Sequence, residues 1–282
     1  MGMNLPERWG GPGLSCTGML LALVEVARAC AATSSMIGAH YLGTDAILIG
    51  GDDAQRARYL PRAARGEWLA GFALTEPGGG SNPADLQTRA VRDGDGYRLD
   101  GAKQFISNAA EARFLVVFAK TDPAAGARGV SAFVVETDRP GLAIAGPEKL
   151  MGIRAEAALA AAVAWAQQRS VGGERLADKQ GIQWLLADMK VRLEAAWGLT
   201  LQALARRAAG ETFTQQSAIA KLYATEMAGF VTDSAQQIHG GYGYTRSLPL
   251  ERYVRDARIL RIYEGASEIQ RTLIARSLVG RR

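Results

Sequence analysis

With only two cysteines and two histidines in 282 residues, the chain has little material for disulfide or metal chemistry. Cys16 and Cys30 stand outside any CxxC spacing and fall in apolar sequence, which predicts buried thiols in a reducing compartment. His40 and His239 are distant in sequence, so no metal site is expected. No GxGxxG follows a strand-like run, which argues against a Rossmann nucleotide site. No Ser/His/Asp or Cys/His set stands out. Charges interrupt every apolar run well before membrane-spanning length, and the opening MGMNLPERWGG lacks the basic-then-apolar pattern of a signal peptide. No membrane attachment is expected, and the cytoplasm is the resulting expectation. A large charge excess is missing too. The net charge of +5 comes from 33 basic and 28 acidic residues, with arginines such as Arg56, Arg58, Arg62 and Arg65 scattered on what reads as a solvated helix face. A nucleic-acid protein would cluster them in a stripe with aromatics, so no nucleic-acid partner is expected; the mild excess suits an anionic small ligand.

What is present is a pattern that changes twice. Residues 1–66 read as helical after a Gly/Pro-rich entry. Ser15 is placed to cap one helical run from Thr17 to His40, and GDDAQRARYLPRAARG reads as a second short helix broken by Pro61. Residues 67–154 carry short β-rich runs, YRLDGAKQFIS, RFLVVFAKT and GVSAFVVET, separated by turn-forming stretches. They predict an antiparallel sheet or partial barrel of about four or five strands, few for a sheet with two faces to cover. Residues 155–282 are helical again. Ile182, Leu185, Leu186, Met189, Leu193, Trp197, Leu201 and Leu204 recur at three- and four-residue steps, as do Ile219, Leu222, Tyr223, Phe230 and Val231. A stop at Gly240–Gly241, a start at Pro249 and a capping box of Ser267 with Gln270 frame the later helices. The expected class is α+β: an N-terminal helical domain (1–66), a middle antiparallel β-domain that is incomplete (67–154) and a C-terminal helical bundle (155–282).

Three stretches hold residues suited to chemistry. GFALTEPGGGSN, Gly71–Asn82, combines hydroxyls with a glycine run whose amides could meet a phosphate or a heterocycle edge, though a flexible turn accounts better for GGGS taken alone. QIHGGYGY, Gln237–Tyr244, reads by itself as a helix stop and turn, with His239 packed or capping rather than catalytic. RIYEGASEIQR, Arg261–Arg271, sets Glu264 between two helices, with Ile262 and Tyr263 before it and Gly265 after it. Apolar neighbours would raise the pKa of Glu264, as a general base requires, and the glycine would leave a substrate room; an exposed loop glutamate is an equal alternative.

Taken in order, FALTEPGGGSN, GAKQFISNA, RGVSAFVVETDRPGL, KLMGIR, FTQQSAIAKLYATEMA, QIHGGYGYTRSLPLERYVRDARI and IYEGASEIQR resemble the acyl-CoA dehydrogenase family of flavoproteins over nearly the whole chain. The resemblance implies an FAD cofactor and the α,β-dehydrogenation of an acyl-CoA thioester to a trans-2-enoyl-CoA. It also implies an electron-transferring flavoprotein as electron acceptor and a homo-oligomer, dimer or tetramer. Glu264 matches the base that removes the α-proton, its backbone N–H helping to polarise the thioester oxygen. Phe72, Leu74, Thr75 and Ser81 match the first FAD loop, and Ser81 and Gly265 fall near the substrate. Phe105, Ile106 and Ser107 match the strand segment along the flavin ring. Arg169, Gln237, Gly240 and Gly241 match residues that reach the FAD of a neighbouring subunit, and Ala266 and Glu268 fall beside the flavin.

The sequence also departs from the family pattern. After Arg154 the alanine-rich helix begins at once, where relatives have the last strands of the β-domain and the start of a longer helix with a substrate-binding Asp-x-x-Arg pair. An internal deletion of a few dozen residues is expected there, and a shortened N-terminus. Gly172 stands where relatives have an FAD-contacting aromatic, and Ala266 where they have threonine. The alternative to a working enzyme is a catalytically impaired or inactive paralogue that serves as a partner subunit. A third reading, flavin chemistry on a nitroalkane or with oxygen, sits poorly with a carboxylate base at Glu264.

Overall fold

The computed structural model describes residues 1–145 and 155–280. The chain divides into two compact units, residues 1–22 with 33–149 and residues 23–32 with 150–282.

In the first unit Ser15 caps as its chemistry suggests, its Oγ accepting the Gly18 N–H at 3.1 Å. The helical run it opens is two helices rather than one, α1 (Cys16–Ala29) and α2 (Ala31–Gly50), with Cys30 outside both. The hydroxyl-bearing stretch just after Cys30 favours a new helix start over a helix interior. Both thiols are half-buried rather than buried; α1, which carries Cys16, has no buried residue. Helix α3 (Asp53–Ala64) starts on a reciprocal capping box between Asp52 and Gln55. Pro61 does not break it. The proline sits in the final turn, where its missing N–H forfeits one bond and Arg65 N–H still reaches the Pro61 carbonyl at 3.3 Å.

Five strands follow: β1 (Ala70–Ala73), β2 (Arg89–Asp93), β3 (Gly96–Asp100), β4 (Phe114–Lys120) and β5 (Val130–Glu136). The expected antiparallel pairing holds for β2 with β3 and for β4 with β5. The sheet as a whole is mixed, because β1 runs parallel to β4 and β2 joins β4 in parallel at Arg89–Lys120. The β2–β3 hairpin lies inside the β1-to-β4 connection and gives it the length a parallel crossover needs. One edge of β4 is thus covered by β5, and β1 and β2 share the other. The outer edge of β5 has no strand partner among the described residues. Leu5, Ile47, Leu60, Ala70, Phe114 and Val116, each at most 2% exposed, form the core beneath the sheet.

The second unit is a bundle of α4 (Ala155–Gln168), α5 (Gln180–Ala208), α6 (Thr214–His239), α7 (Leu250–Arg258) and α8 (Ser267–Val279). Helix α6 is its centre and touches the other four. Ala158, Ala162 and Ala166 recur every four residues on α4 and are fully buried, which lets two backbones approach closely. Near the start of α4, the Glu156 carboxylate accepts from Trp197 Nε1 and from Arg28 Nε, each at 2.9 Å, and its charge suits a helix N-terminus. The periodic positions on α6 are only partly the core. Val231 is buried, whereas Ile219, Leu222, Tyr223 and Phe230 are half-buried. Small residues such as Ala218, Thr225, Ala228 and Ala235 take the inner places, as crowding by four neighbours requires. Leu201 on α5 is exposed for the opposite reason, lying on a side of the long helix that no neighbour covers. Between α4 and α5, β6 (Ser170–Val171) and β7 (Glu174–Arg175) form a hairpin around Gly172 and Gly173. Both glycines have positive φ, +66° and +83°, which a two-residue turn of this hand demands. The junction expected at Arg154 lies outside the described residues.

Candidate active site

In the first unit, β1 delivers the loop Leu74–Ser81 to the surface. Phe72 on β1 packs its ring 4.9 Å from Phe118. A buried carboxylate fixes the loop from below. Glu76 accepts the N–H groups of Gln87 (2.5 Å) and Thr88 (2.9 Å) and pairs with Lys103 Nζ at 2.7 Å. Burial alone would push the Glu76 carboxyl up; the two N–H donors and the ammonium outweigh it and hold the pKa at about 2. Lys103 is itself pushed down by burial and also donates to the Leu74 carbonyl at 3.0 Å. The Gln104 N–H donates to the Thr75 carbonyl at 2.9 Å, so this loop and the segment Lys103–Ser107 are stitched together. In that segment Phe105 has φ +57° and is 63% exposed, Ser107 is exposed, and Ile106 is half-buried. A large apolar ring held outward in the left-handed region is a cost that function commonly explains. Ser81 is exposed, and among the described residues the N–H groups of Gly80 and Ser81 meet no protein acceptor. Phe72, Leu74, Thr75, Ser81, Phe105, Ile106 and Ser107 are therefore brought to one region of this unit.

In the second unit an open cavity of about 550 Å³ is lined by Trp165, Arg169, His239, Gly240, Gly241 and Tyr242, among others. It gathers three of the four residues matched to a neighbouring subunit's cofactor; the fourth, Gln237, is exposed on the last turn of α6. Trp165 stacks on His239 at 4.9 Å and lies 5.2 Å from Tyr242, and the Arg169 guanidinium sits 5.8 Å from the Tyr242 ring. His239 is buried and bonds the Ala235 carbonyl through Nδ1 at 2.7 Å, the packing role its sequence suggested. Side chains added at Gly240 or Gly241 would meet no protein atom within 4 Å, so both open onto free space.

Glu264 lies in the loop before α8 with φ +53°, followed by Gly265 at +87°. Glu264 is itself exposed, as are its neighbours Ile262 (52%) and Tyr263 (36%), which is the exposed loop glutamate that the sequence left as an equal alternative to a buried base. Desolvation by the surrounding chain still pushes its carboxyl up, and Lys221 pulls it back down. Among the described residues, the Glu264 backbone N–H has no acceptor. Ala266 is the N-cap residue of α8, and Glu268 is exposed in its first turn. Ser267 and Gln270 form no capping box, because both side chains are engaged elsewhere. Ser267 Oγ donates to Glu226 Oε1 at 3.0 Å, and Gln270 Nε2 reaches the Gly265 carbonyl at 3.1 Å.

The buried charges Glu76 and Lys103 and the half-buried Lys221 were not singled out from sequence. Glu76 and Lys103 carry no periodic signal. Lys221 does, since it falls on the stripe Ala218, Thr225, Ala228 and Thr232 that α6 buries. No group of three or more His, Cys, Asp or Glu residues is placed to hold a metal among the described residues, and no described helix is long and apolar enough to cross a membrane.

Models of three acyl-CoA dehydrogenase domains match the chain in order: the N-terminal domain at residues 1–67, the middle domain at 71–163 and the C-terminal domain at 149–279. The chain is 36% identical to an acryloyl-CoA reductase (NADH) of Anaerotignum propionicum over 330 residues, covering 99% of this chain and 84% of that protein. It is 37% identical to the mitochondrial short-chain specific acyl-CoA dehydrogenase of Bos taurus, again over 330 residues, covering 99% of this chain and 80% of that protein. Both aligned spans exceed the 282 residues present, so the relatives carry residues without a counterpart here. Among solved structures, butyryl-CoA dehydrogenase from Megasphaera elsdenii superposes with a TM-score of 0.94 at 33% identity, covering 99% of this chain and 87% of that one. A chain from a structure of the electron transferring flavoprotein of Acidaminococcus fermentans gives 0.95 at 33%, with the same coverage. A glutaryl-CoA dehydrogenase from Mycobacterium smegmatis in complex with FADH2 gives 0.92 at 26%, covering 100% and 84%. Three domain models in sequence order and relatives matched along almost all of its length make this chain a member of the acyl-CoA dehydrogenase family, oxidoreductases that act on CH–CH donors.

Proposed function

We propose that this chain is an FAD-dependent acyl-CoA dehydrogenase that converts an acyl-CoA thioester to a trans-2-enoyl-CoA, with Glu264 as its base. The observation that carries the reading is the Glu264 loop. It holds a carboxylate of raised proton affinity next to its own unpartnered backbone N–H. A carboxylate within reach of the substrate can take its α-proton, and an N–H aimed at a thioester oxygen stabilises the charge that builds as that proton leaves. Gly265 leaves the substrate room beside both groups.

The residues present fit a flavin dinucleotide. Exposed Phe105, the free amides of Gly80 and Ser81, and the hydroxyls of Thr75 and Ser81 would hold the ring and its polar edge, with Phe72, Leu74, Ile106 and Ser107 supporting them. Arg169, Gln237, Gly240 and Gly241 would receive the cofactor of a second copy, the aromatic wall of Trp165 and Tyr242 suiting a heterocycle and Arg169 a phosphate. That arrangement makes a homo-oligomer part of the proposal. Bound FAD would supply the hydride acceptor. An electron-transferring flavoprotein is the proposed onward acceptor, in keeping with the likeness to a chain from such a protein's structure.

A second reading rests on the relatives' extra residues and on Gly172, whose place in a tight hairpin leaves no aromatic there. On it the chain is an impaired partner subunit. Purified protein mixed with FAD and freed of unbound cofactor separates the two. Stoichiometric flavin whose visible band bleaches on anaerobic addition of acyl-CoA supports the enzyme; folded protein without flavin supports the partner subunit.

A further inference from the structure

We propose that Lys221 is a positioning residue for Glu264: from the middle of α6 it clamps the carbonyl next to the base and holds the left-handed loop in its working conformation. The inference rests on the proposed role of Glu264 and extends it. Lys221 Nζ donates to the Gly265 carbonyl at 2.6 Å. The same carbonyl accepts Gln270 Nε2 at 3.1 Å, and that amide also reaches the Glu264 carbonyl at 3.4 Å. Two side chains from different helices therefore converge on two successive peptide units, at φ +53° and +87°. A left-handed glutamate is unfavourable, so the loop needs such external bonds to persist.

Lys221 also faces Glu264 electrostatically. The other charges around it are accounted for. On α6, Glu226 accepts from Ser267 and pairs with Arg261 of the preceding turn (3.3 Å) and Arg271 of α8 (3.5 Å). Glu268 on α8 is the remaining acidic neighbour of Lys221. Glu226 is shared between two guanidiniums, whereas Lys221 is the cation that acts on Glu264 among the described residues. A buried stripe of small residues is an unfavourable place for a lysine, and this double duty explains its presence there.

The test compares Lys221→Met and Lys221→Arg with the unchanged protein, each loaded with FAD. Two quantities are read: amide hydrogen exchange across residues 262–266, and the pH profile of flavin reduction by acyl-CoA. Lys221→Met should speed exchange in that loop about tenfold or more. It should also move the acid limb of the profile to higher pH, because the carboxylate loses a cation that favours its charged form. Lys221→Arg should restore part of both. Unchanged exchange together with an unchanged acid limb in Lys221→Met would overturn the proposal, even if the overall rate fell. If Lys221→Met does not fold, Lys221→Gln carries the same comparison. Should Glu264→Gln keep full activity, the catalytic reading fails, while the exchange measurement still decides whether Lys221 holds the loop.

Discussion

Glu76 and Lys103 form an ion pair of 2.7 Å beneath the proposed flavin loop, with side chains only 5% and 11% exposed. A pair so placed does more than add attraction. It fills the acceptor needs of two backbone N–H groups and ties the Leu74 carbonyl to the next segment. Glu76→Gln leaves Lys103 charged and uncompensated, and the expected loss of stability is about 3–5 kcal/mol. Chemical denaturation measures it. Replacing both partners by methionine should recover only part of that loss, because the Gln87 and Thr88 N–H groups and the Leu74 carbonyl lose their partners, and FAD retention should stay poor.

Acid sensitivity follows from His40 and Glu76. His40 is fully buried, its Nδ1 accepting the Ala70 N–H at 3.0 Å, and burial lowers its pKa to about 4. The unfolded chain takes up that proton near pH 6.5, so stability falls as pH drops from about 6.5 towards 4. Glu76, held at about 2, adds a second loss from about pH 4.5 downwards. Denaturation midpoints measured across this range should fall steadily, by an amount corresponding to about 3 kcal/mol for His40 alone. His40→Gln should flatten the upper part of the curve.

Gly265 tolerates no side chain. A Cβ there would stand 2.5 Å from Gln270 Nε2, and its φ of +87° disfavours any other residue. Gly265→Ala should keep bound flavin yet lower the rate of acyl-CoA-driven flavin reduction by about tenfold to a hundredfold, since small displacements of a base are costly. Stopped-flow absorbance would show it.

Arg169 lines the cavity of the second unit and, among the described residues, has no ion pair that would hold its charge there for packing. Arg169→Gln should leave the stability within about 0.5 kcal/mol of its original value, as a surface change does. FAD should dissociate more readily, by about tenfold or more, as expected for a lost charge-assisted contact. Equilibrium dialysis against FAD reads the change.

Local chemistry made much of this fold legible. Ser15 and Asp52 cap where their side chains can reach the first free N–H groups. RFLVVFAKT and GVSAFVVET became strands and the helix ahead of Gly240 ended there, but YRLDGAKQFIS is a strand only over Gly96–Asp100, and Phe105, Ile106 and Ser107, expected on a strand, lie outside one. What stayed hidden depended on tertiary neighbours. The parallel union of β1 with β4 is set by a crossover, not by either strand. Ser267 and Gln270 have the spacing of a capping box, yet Glu226 and the Gly265 carbonyl compete for them and win. The site divides in the same way. Glu264 and the glycine stretches announce themselves as motifs, whereas Glu76, Lys103 and Lys221 resemble ordinary surface charges until their partners are in place. Lys221 alone left a trace, a cation on an apolar helical stripe.

The most direct test of the account is anaerobic acyl-CoA titration of Glu264→Gln loaded with FAD, beside the unchanged protein. The account predicts equal flavin content in the two, bleaching of the flavin band in the unchanged protein, and a rate slower by about a hundredfold or more in the variant, as loss of a general base entails. Bleaching of Glu264→Gln at the original rate would contradict it, and the base would have to be sought elsewhere in the chain.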